Sequence, residues 1–231
     1  MMRMIRAAAV GAATVGLLLL AGLPAAASTG PTPGGKVTTT SSALTGLLLH
    51  KGQVTGLTTS TTKALPTPYA ALMGCSKVTM ARTGDGAAAA VLAQVIKSKQ
   101  GTAQQARLTQ VGELLVATRS REAAIAQREI VRGVLLRCGT FTQSGQAVSI
   151  SLHKAPKGVR GGFAVETALG GTTVERDVVF QHGRYLALVN SLQISASSTG
   201  SGSTSTQVTA IPKPLITQGA RAASGNLHNA V

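Results

Sequence analysis

Residues 120–139 read SREAAIAQREIVRGVLLRCG, and this stretch carries the strongest structural signal of the chain. Its apolar side chains recur every three or four positions, which predicts an amphipathic α-helix with one buried face. Ser120 is a typical helix N-cap, Glu122 suits the positive end of the helix dipole, and Gly139 is a typical C-terminal stop. The buried face is predicted to consist of Ala124, Val131, Leu135 and Cys138.

After this helix the hydrophobic pattern changes to a period of two, which is the period of a β-strand. Four runs alternate in this way, and the last two flank His182–Gly183, which predicts a β-hairpin. Consecutive strands with short connections form an antiparallel sheet. We therefore predict an α+β fold, with an antiparallel sheet packed against one main helix at about 120–138, shorter helices and one disulfide. The four runs are 148–153, 163–168, 173–181 and 184–193.

The chain before the helix is predicted to add two strands. Residues 87–97 suit a helix because of their four alanines, or a strand that is buried on both faces. We favour the strand because a second β-like run follows at 107–118. A short helix with serine caps is predicted at 42–49.

The domain organisation follows from composition. A single domain is predicted over 42–222, with flexible Ser/Thr-rich loops at 58–68 and 195–206. A strand fragment and a short helix are predicted within 208–222, and residues 223–231 are predicted to be a frayed tail.

The amino terminus has the pattern of a signal peptide. Two arginines precede an apolar run, and small residues stand before the Ala27–Ser28 bond, which predicts cleavage there. The alternative, an uncleaved membrane anchor, is disfavoured because the glycine-interrupted run is short for a bilayer span. We therefore predict a signal peptide at 1–27 without a lipidation cysteine, a flexible lead-in at 28–41, and a secreted mature chain without a transmembrane span.

Cys75 and Cys138 are the only cysteines. In an oxidising compartment an isolated pair indicates a disulfide. The spacing and the companion histidines of a zinc site are missing, so the sequence predicts no metal site and no cofactor.

The formal net charge is +15, from 22 Lys+Arg and 7 Asp+Glu. Such a charge favours anionic partners such as phospholipid head groups or wall polymers. The basic residues look scattered along the chain, however, so a generally basic exported protein is the simpler interpretation. Nucleic acid is a disfavoured partner, since the sequence has no basic stripe interleaved with stacking aromatics.

No catalytic constellation is found in the sequence. Two S-x-x-K matches, Ser60–Lys63 and Ser151–Lys154, lack the partner motifs that such enzymes need. Glu166 and Glu175 form a conceivable glycosidase pair, but alternation in their strands favours two carboxylates that point to solvent. His50, His153, His182 and His228 have no metal-binding spacing.

A short leucine helix (Leu44, Leu47 and Leu48) precedes Cys75, the long helix ends at Cys138, and antiparallel strands end in the hairpin at 174–189. This order of parts resembles the exported sensor-type domains of actinobacteria, similar to the PknH-like extracellular domain family. The resemblance covers about 42–222. It implies an α+β fold with a groove between helix and sheet, and it supplies no site residue beyond the two cysteines. The chain departs from this family in its single cysteine pair, its lack of tryptophan and the absence of an attached kinase.

The sequence therefore predicts a secreted, non-catalytic, sensor-like binding domain of the bacterial cell envelope. Its partner is expected to be a small ligand or an anionic envelope component, and the oligomeric state is left open. The alternative is a structural or adhesive wall-associated protein that binds anionic polymers through its charge. A degenerate hydrolase with a cleft near Glu166, Glu175 or His153 is a third hypothesis.

Overall fold

The structure is a computed structural model that describes residues 40–100, 103–143, 145–198, 204–209 and 212–230. The predicted signal peptide at 1–27, its cleavage site at Ala27–Ser28 and the lead-in up to residue 39 lie outside the described residues.

Strands make up most of the described chain. The helices are α1 (Ser41–Leu44), α2 (Arg121–Cys138) and α3 (Lys213–His228), with a 3₁₀ helix at Thr45–Leu47. The strands are β1 (Thr59–Leu65), β2 (Tyr69–Met73), β3 (Ser76–Ala81), β4 (Gly86–Gln100), β5 (Ala103–Ala117), β6 (Thr140–Gln143), β7 (Gln146–Lys154), β8 (Gly162–Leu169), β9 (Thr172–His182), β10 (Tyr185–Ser198) and β11 (Thr204–Thr209).

Nine of these strands form one antiparallel sheet in the order β1-β4-β5-β10-β9-β8-β7-β6. The ninth, β11, pairs with the second half of β10, beyond the part of β10 that pairs with β9. β2 and β3 form a separate hairpin. The predicted antiparallel sheet is confirmed, including the strand favoured over a helix at 87–97.

Protein layers cover both faces of the sheet. On the first, here called the α2 face, α2 and the β2–β3 hairpin bury alternate residues of the strands, such as Leu114, Val179 and Leu188. On the second, the α3 face, α3 and the segment 40–57 bury the intervening residues, such as Leu115 and Val189. Because successive side chains of a strand point to opposite faces, each central strand contributes to two cores.

The main helix has the predicted ends. Ser120 Oγ accepts a hydrogen bond from the Ala123 N–H at 3.2 Å. Gly139 stops the helix with φ +45°, and its N–H donates to the Leu135 carbonyl at 3.2 Å.

The expectation of one main helix is too narrow, because α3 has 16 residues against the 18 of α2. A frayed tail was predicted at 223–231. This prediction is wrong for residues 223–228, which form the end of α3 and include the buried Ala223 and Leu227. Small residues allow α3 to pack closely on the sheet. A Cβ at Gly219 would lie 2.8 Å from Val111 Cγ1, so the helix backbone lies directly against the sheet there.

Other boundaries also differ from expectation. The loop expected at 58–68 contains strand β1, and the loop expected at 195–206 contains the end of β10 and the start of β11. The β2–β3 hairpin was not foreseen. The turn between β9 and β10 is Gly183–Arg184, one residue later than predicted.

The predicted disulfide is present. Cys75 lies in the β2–β3 turn and bonds to Cys138 at the end of α2, with 5.5 Å between the Cα atoms. The bond therefore joins the two elements that together cover the α2 face.

Candidate functional site

Seven basic side chains surround the connection between β7 and β8. Lys154 is the last residue of β7, Lys157 and Arg160 belong to the connection, and all three are exposed. Arg128 Nη1 of α2 donates to the Gly161 carbonyl at 2.8 Å, and Arg221 Nε of α3 donates to the Lys157 carbonyl at 2.8 Å. The connection thus brings basic residues of both helices to one end of the molecule. We call this set the basic rim; it consists of Arg128, Arg132, Lys154, Lys157, Arg160, Lys213 and Arg221.

An open cleft of about 500 Å³ lies at the rim on the α2 face. Arg128 and Arg132 of α2 line one side, and His153 and Lys154 of β7 line the other. The carboxylate in this cleft is Glu129, whose oxygens lie 2.6 Å from Arg128 Nη2 and 3.7 Å from Arg132 Nη1. The cations outnumber the carboxylates, so the cleft suits an anion.

A second groove of about 280 Å³ lies on the α3 face, where His153 and Lys154 form part of the lining again. Glu166 lies there, 3.1 Å from Arg176 Nε and 3.6 Å from Lys213 Nζ. Partial burial acts to raise the pKa of Glu166, but hydrogen bonding and attraction from Arg176 and Lys213 outweigh it and lower the pKa. Glu166 is thus an ionised partner within a basic neighbourhood, which corrects the view that it points freely into solvent.

The basic residues are scattered along the sequence, but the fold brings seven of them together. Rim residues lie between positions 128 and 221 of the sequence, and they meet because α2 and α3 pack on opposite faces of the same strands. Three of the seven acidic residues, Glu113, Glu175 and Asp177, are drawn toward the interior instead. The surface is therefore more basic than the composition alone suggests.

Glu175 and Asp177 form an acidic pair on the α2 face, in which Glu175 is buried and Asp177 is partly buried. They stand two positions apart on β9, and Asn190 of β10 lies directly opposite Asp177. Loss of hydration raises the pKa of Asp177 to about 7. Loss of hydration, and then repulsion by the neighbouring Asp177, raise the pKa of Glu175 well above its usual value.

Glu113 is a further buried acid, on the α3 face in the middle of β5. Its Oε2 accepts a 2.7 Å hydrogen bond from the Leu49 N–H, and its Oε1 has no hydrogen-bond partner among the described residues. Burial raises the pKa of Glu113 to about 8, against the lowering effect of the Leu49 hydrogen bond. The core around it is apolar.

The conceivable glycosidase pair is not assembled. Glu166 lies on the α3 face with Arg176 and Lys213, whereas Glu175 is buried on the α2 face. The sheet separates the two carboxylates, so they do not flank one substrate. The expectation that both point to solvent also fails for Glu175, which is 5% exposed.

The two S-x-x-K matches both lie on strands, β1 and β7. Side chains three positions apart on a strand point to opposite faces, so neither serine meets its lysine. Ser151 Oγ instead contacts His153 Nε2 at 3.1 Å on an exposed part of β7. His182 and His228 are brought together, with ring centroids 5.6 Å apart.

The centre of the interface between α2 and the sheet is filled, apart from a cavity of about 20 Å³. A groove between helix and sheet, which the sensor-family resemblance implies, lies at the edge of this interface, where the cleft of about 500 Å³ separates α2 from β7. Another open cleft of about 500 Å³ lies away from the rim, at the far ends of β4, β5 and β10, where Lys97 and Lys99 line it. A weak indication that these three acids are drawn toward the interior was present in the sequence. Glu113 interrupts an apolar run, and Glu175 and Asp177 share the strand face of the buried Val179.

Within the described part of the chain, no three His, Cys, Asp or Glu side chains come together as a metal-binding group. None of the helices in the described ranges is long and apolar enough to cross a membrane. The chain matches no protein-family model, no curated protein and no solved structure.

Proposed function

We propose that the chain is an exported, non-catalytic binding module of the cell envelope, and that its basic rim binds an anionic polymer. The observation that carries the proposal is the convergence of basic residues from α2, the β7–β8 connection and α3 at one end of the sheet. Convergence matters because net charge alone supplies no specific site.

The shape of the rim favours a polymer over a single small anion. α2 and α3 lie on opposite faces of the sheet, so the rim crosses the end of the sheet from one face to the other. A chain of phosphate or carboxylate groups can contact all three parts of the rim at once, whereas one small anion reaches only one part.

The basic side chains at the centre of the rim are available to bind an anion. Lys154, Lys157 and Arg160 are exposed and form no ion pair with the described carboxylates. Gly161, Gly162, Arg128 and Lys154 line the larger cleft together. Exposed cations of this kind bind anions in a salt-dependent manner.

The test compares two triple variants with equal loss of charge. Arg132→Gln/Lys157→Gln/Arg160→Gln removes three cations from the rim. Lys97→Gln/Lys99→Gln/Arg107→Gln removes three exposed cations from the far ends of β4 and β5. The strand register puts these residues about 27 Å along the sheet from the row of Lys154.

Binding of the full chain to purified envelope walls and to a soluble phosphodiester polymer is measured over a range of salt concentrations. We expect the rim variant to lose at least about tenfold in affinity and the control less than about twofold, because local rather than net charge carries the site. Equal losses in the two variants, or wild-type binding that salt does not weaken, would contradict the proposal.

A further inference from the structure

The second half of β4 has a free edge. β1 pairs with β4 only from residue 87 to residue 93, whereas β5 pairs with β4 over its whole length. Among the described residues, no strand pairs with β4 on the β1 side beyond Ala93. Thr58 marks the end of β1 pairing, because its N–H donates to the Ala93 carbonyl at 3.1 Å. We call residues 95–99 the open edge, since an edge strand presents its outward N–H and C=O groups to solvent.

The open edge is uncovered on both of its faces. All five of its side chains are exposed, and Val95 and Ile96 are 56% and 49% exposed. Val95 shares one face with Lys97 and Lys99, and Ile96 points to the other face, because strand side chains alternate. A free edge that carries exposed apolar residues is prone to pair with a further strand. Such a strand would satisfy the outward backbone groups and bury part of this apolar surface.

The charge around the open edge is positive. Lys97 and Lys99 form no ion pair with the described carboxylates, and no acidic residue occurs between Asp85 and Glu113 in the sequence. Arg107 of β5, which pairs with Ile96, adds a third exposed cation. Opposite charges on directly facing residues of two strands stabilise the pair, whereas like charges destabilise it. The lysines therefore select an incoming strand that carries acidic side chains.

The same lysines disfavour a second copy of the chain as the added strand. In a symmetric antiparallel pair of open edges, the register that uses all five residues places Lys97 opposite the same lysine of the other copy. A shift toward the tip of β4 places Lys97 opposite Lys99 of that copy. A shift the other way leaves a short overlap, because Thr58 occupies the position before it. The occupant that fits the open edge is thus a different, acidic chain.

We propose that the open edge is a docking site for an extended acidic segment of a partner protein, which adds a strand to the sheet in line with β1. The main-chain hydrogen bonds of an added strand supply affinity, and its alternate side chains supply specificity. The fitting segment carries acidic residues opposite Lys97 and Lys99 and apolar, β-branched residues opposite Val95 and Ile96. Its length of about six residues is typical of a strand. The open edge lies away from the basic rim, and this docking does not depend on polymer binding there.

The test uses the full chain and the synthetic peptide acetyl-Thr-Glu-Thr-Glu-Val-Val-amide. In the antiparallel register its two glutamates lie opposite Lys99 and Lys97, and its valines lie opposite Ile96 and Val95. NMR measures binding and the hydrogen exchange of individual amides. We expect a dissociation constant below about 1 mM. At ten times that concentration, exchange should slow by about tenfold at alternate amides of the open edge, because every second N–H of an edge strand points outward.

Two controls separate strand addition from general attraction between charges. The same peptide, N-methylated at its third and fourth residues, keeps its charge but loses one N–H that faces β4 in either hydrogen-bonding phase, so it should bind at least about fivefold more weakly. The variant Lys97→Glu/Lys99→Glu should lose at least about fivefold in affinity for the glutamate peptide. It should instead bind acetyl-Thr-Lys-Thr-Lys-Val-Val-amide, and this reversal shows that the variant is folded.

The rim variant Arg132→Gln/Lys157→Gln/Arg160→Gln should bind the glutamate peptide as the wild type does, so failure of one site is distinguishable from failure of the other. Equal binding of the glutamate peptide and its N-methylated form would mean attraction without strand addition and would overturn the proposal. A wild type that shows no binding up to about 5 mM peptide would also overturn it. So would equal losses in the rim variant and in Lys97→Glu/Lys99→Glu.

Discussion

The Leu49 N–H donates a 2.7 Å hydrogen bond to Glu113 Oε2, although 64 positions separate the two residues. The bond attaches the segment after α1 to the centre of the sheet, inside an apolar core. It satisfies a backbone donor that would otherwise be buried without a partner. The other carboxyl oxygen has no partner among the described residues, so the attachment carries an electrostatic penalty when Glu113 is ionised.

Stability should therefore fall as pH rises through the neutral range, and Glu113→Gln should weaken this dependence. The folded chain keeps the Glu113 proton up to about pH 8, whereas the unfolded chain releases it near 4.5. Between these values the folded state holds more protons, so its unfolding free energy decreases with pH by at most about 1.4 kcal/mol per unit. Below this window the penalty is absent.

Urea unfolding of both chains at pH 5, 6.5 and 8 measures the effect. We expect the difference in unfolding free energy to shift in favour of Glu113→Gln as pH rises. Parallel pH profiles for the two chains would show that Glu113 is ionised in the folded protein.

Two glycines of α3 should respond in opposite directions to alanine. A Cβ at Gly219 would lie 2.8 Å from Val111 Cγ1 and 3.3 Å from Val189 Cγ1, so Gly219→Ala should destabilise by about 1–3 kcal/mol through overpacking. A Cβ at Gly225 meets nothing within 4 Å, so Gly225→Ala should stabilise by about 0.5–1 kcal/mol through helix propensity. Thermal unfolding measures both. A stabilising Gly219→Ala would mean that α3 does not rest on the sheet as described.

Removal of the disulfide should lower the unfolding free energy by about 4 kcal/mol in the chain-entropy model, because the bond closes a loop with a sequence separation of 63. Cys75→Ala/Cys138→Ala is the suitable variant, since a serine at buried position 138 would add an unsatisfied hydroxyl. Denaturant titration measures the loss, and wild-type protein in reductant is the control that should match the variant. A loss below about 1 kcal/mol in both would show that the β2–β3 hairpin packs on α2 without the bond.

Loss of the α2 N-cap should lower the unfolding free energy by about 1 kcal/mol. In Ser120→Ala the Ala123 N–H loses its 3.2 Å acceptor, Ser120 Oγ. Ser120→Gly is the matched comparison and should cost only a few tenths of a kcal/mol, because glycine is tolerated at this position. Urea unfolding distinguishes the two, and an equal small loss in both would mean that solvent replaces the cap without cost.

Much of the architecture could be predicted from the sequence. The ends of α2 were correct to within a residue, because the Ser120 cap and the Gly139 stop act on their own neighbours in the chain. The antiparallel strands after Cys138 and the hairpin between β9 and β10 were also correct, since alternation and a tight turn are local signals.

The second helical layer was underestimated for a physical reason. Gly219 and Gly225 reduce the intrinsic helix propensity of α3, and only a short helix within 208–222 was predicted. Close packing on the sheet, which the small residues permit, stabilises the helix through to His228. Propensity is a weak guide where tertiary burial supplies most of the stability.

What the sequence established about this protein is what adjacent residues control: the main helix and its caps, the period of the strands, and a single pair of cysteines in a basic chain. The fold alone brought Arg128, Lys157 and Arg221 to one end, and it buried Glu113 and Glu175 and partly buried Asp177. A strand face that carries two acids normally points to solvent. Here that face is covered, because α2 and the β2–β3 hairpin pack over it. Which layers cover a sheet face depends on contacts between residues far apart in the chain, and no local pattern encodes those contacts.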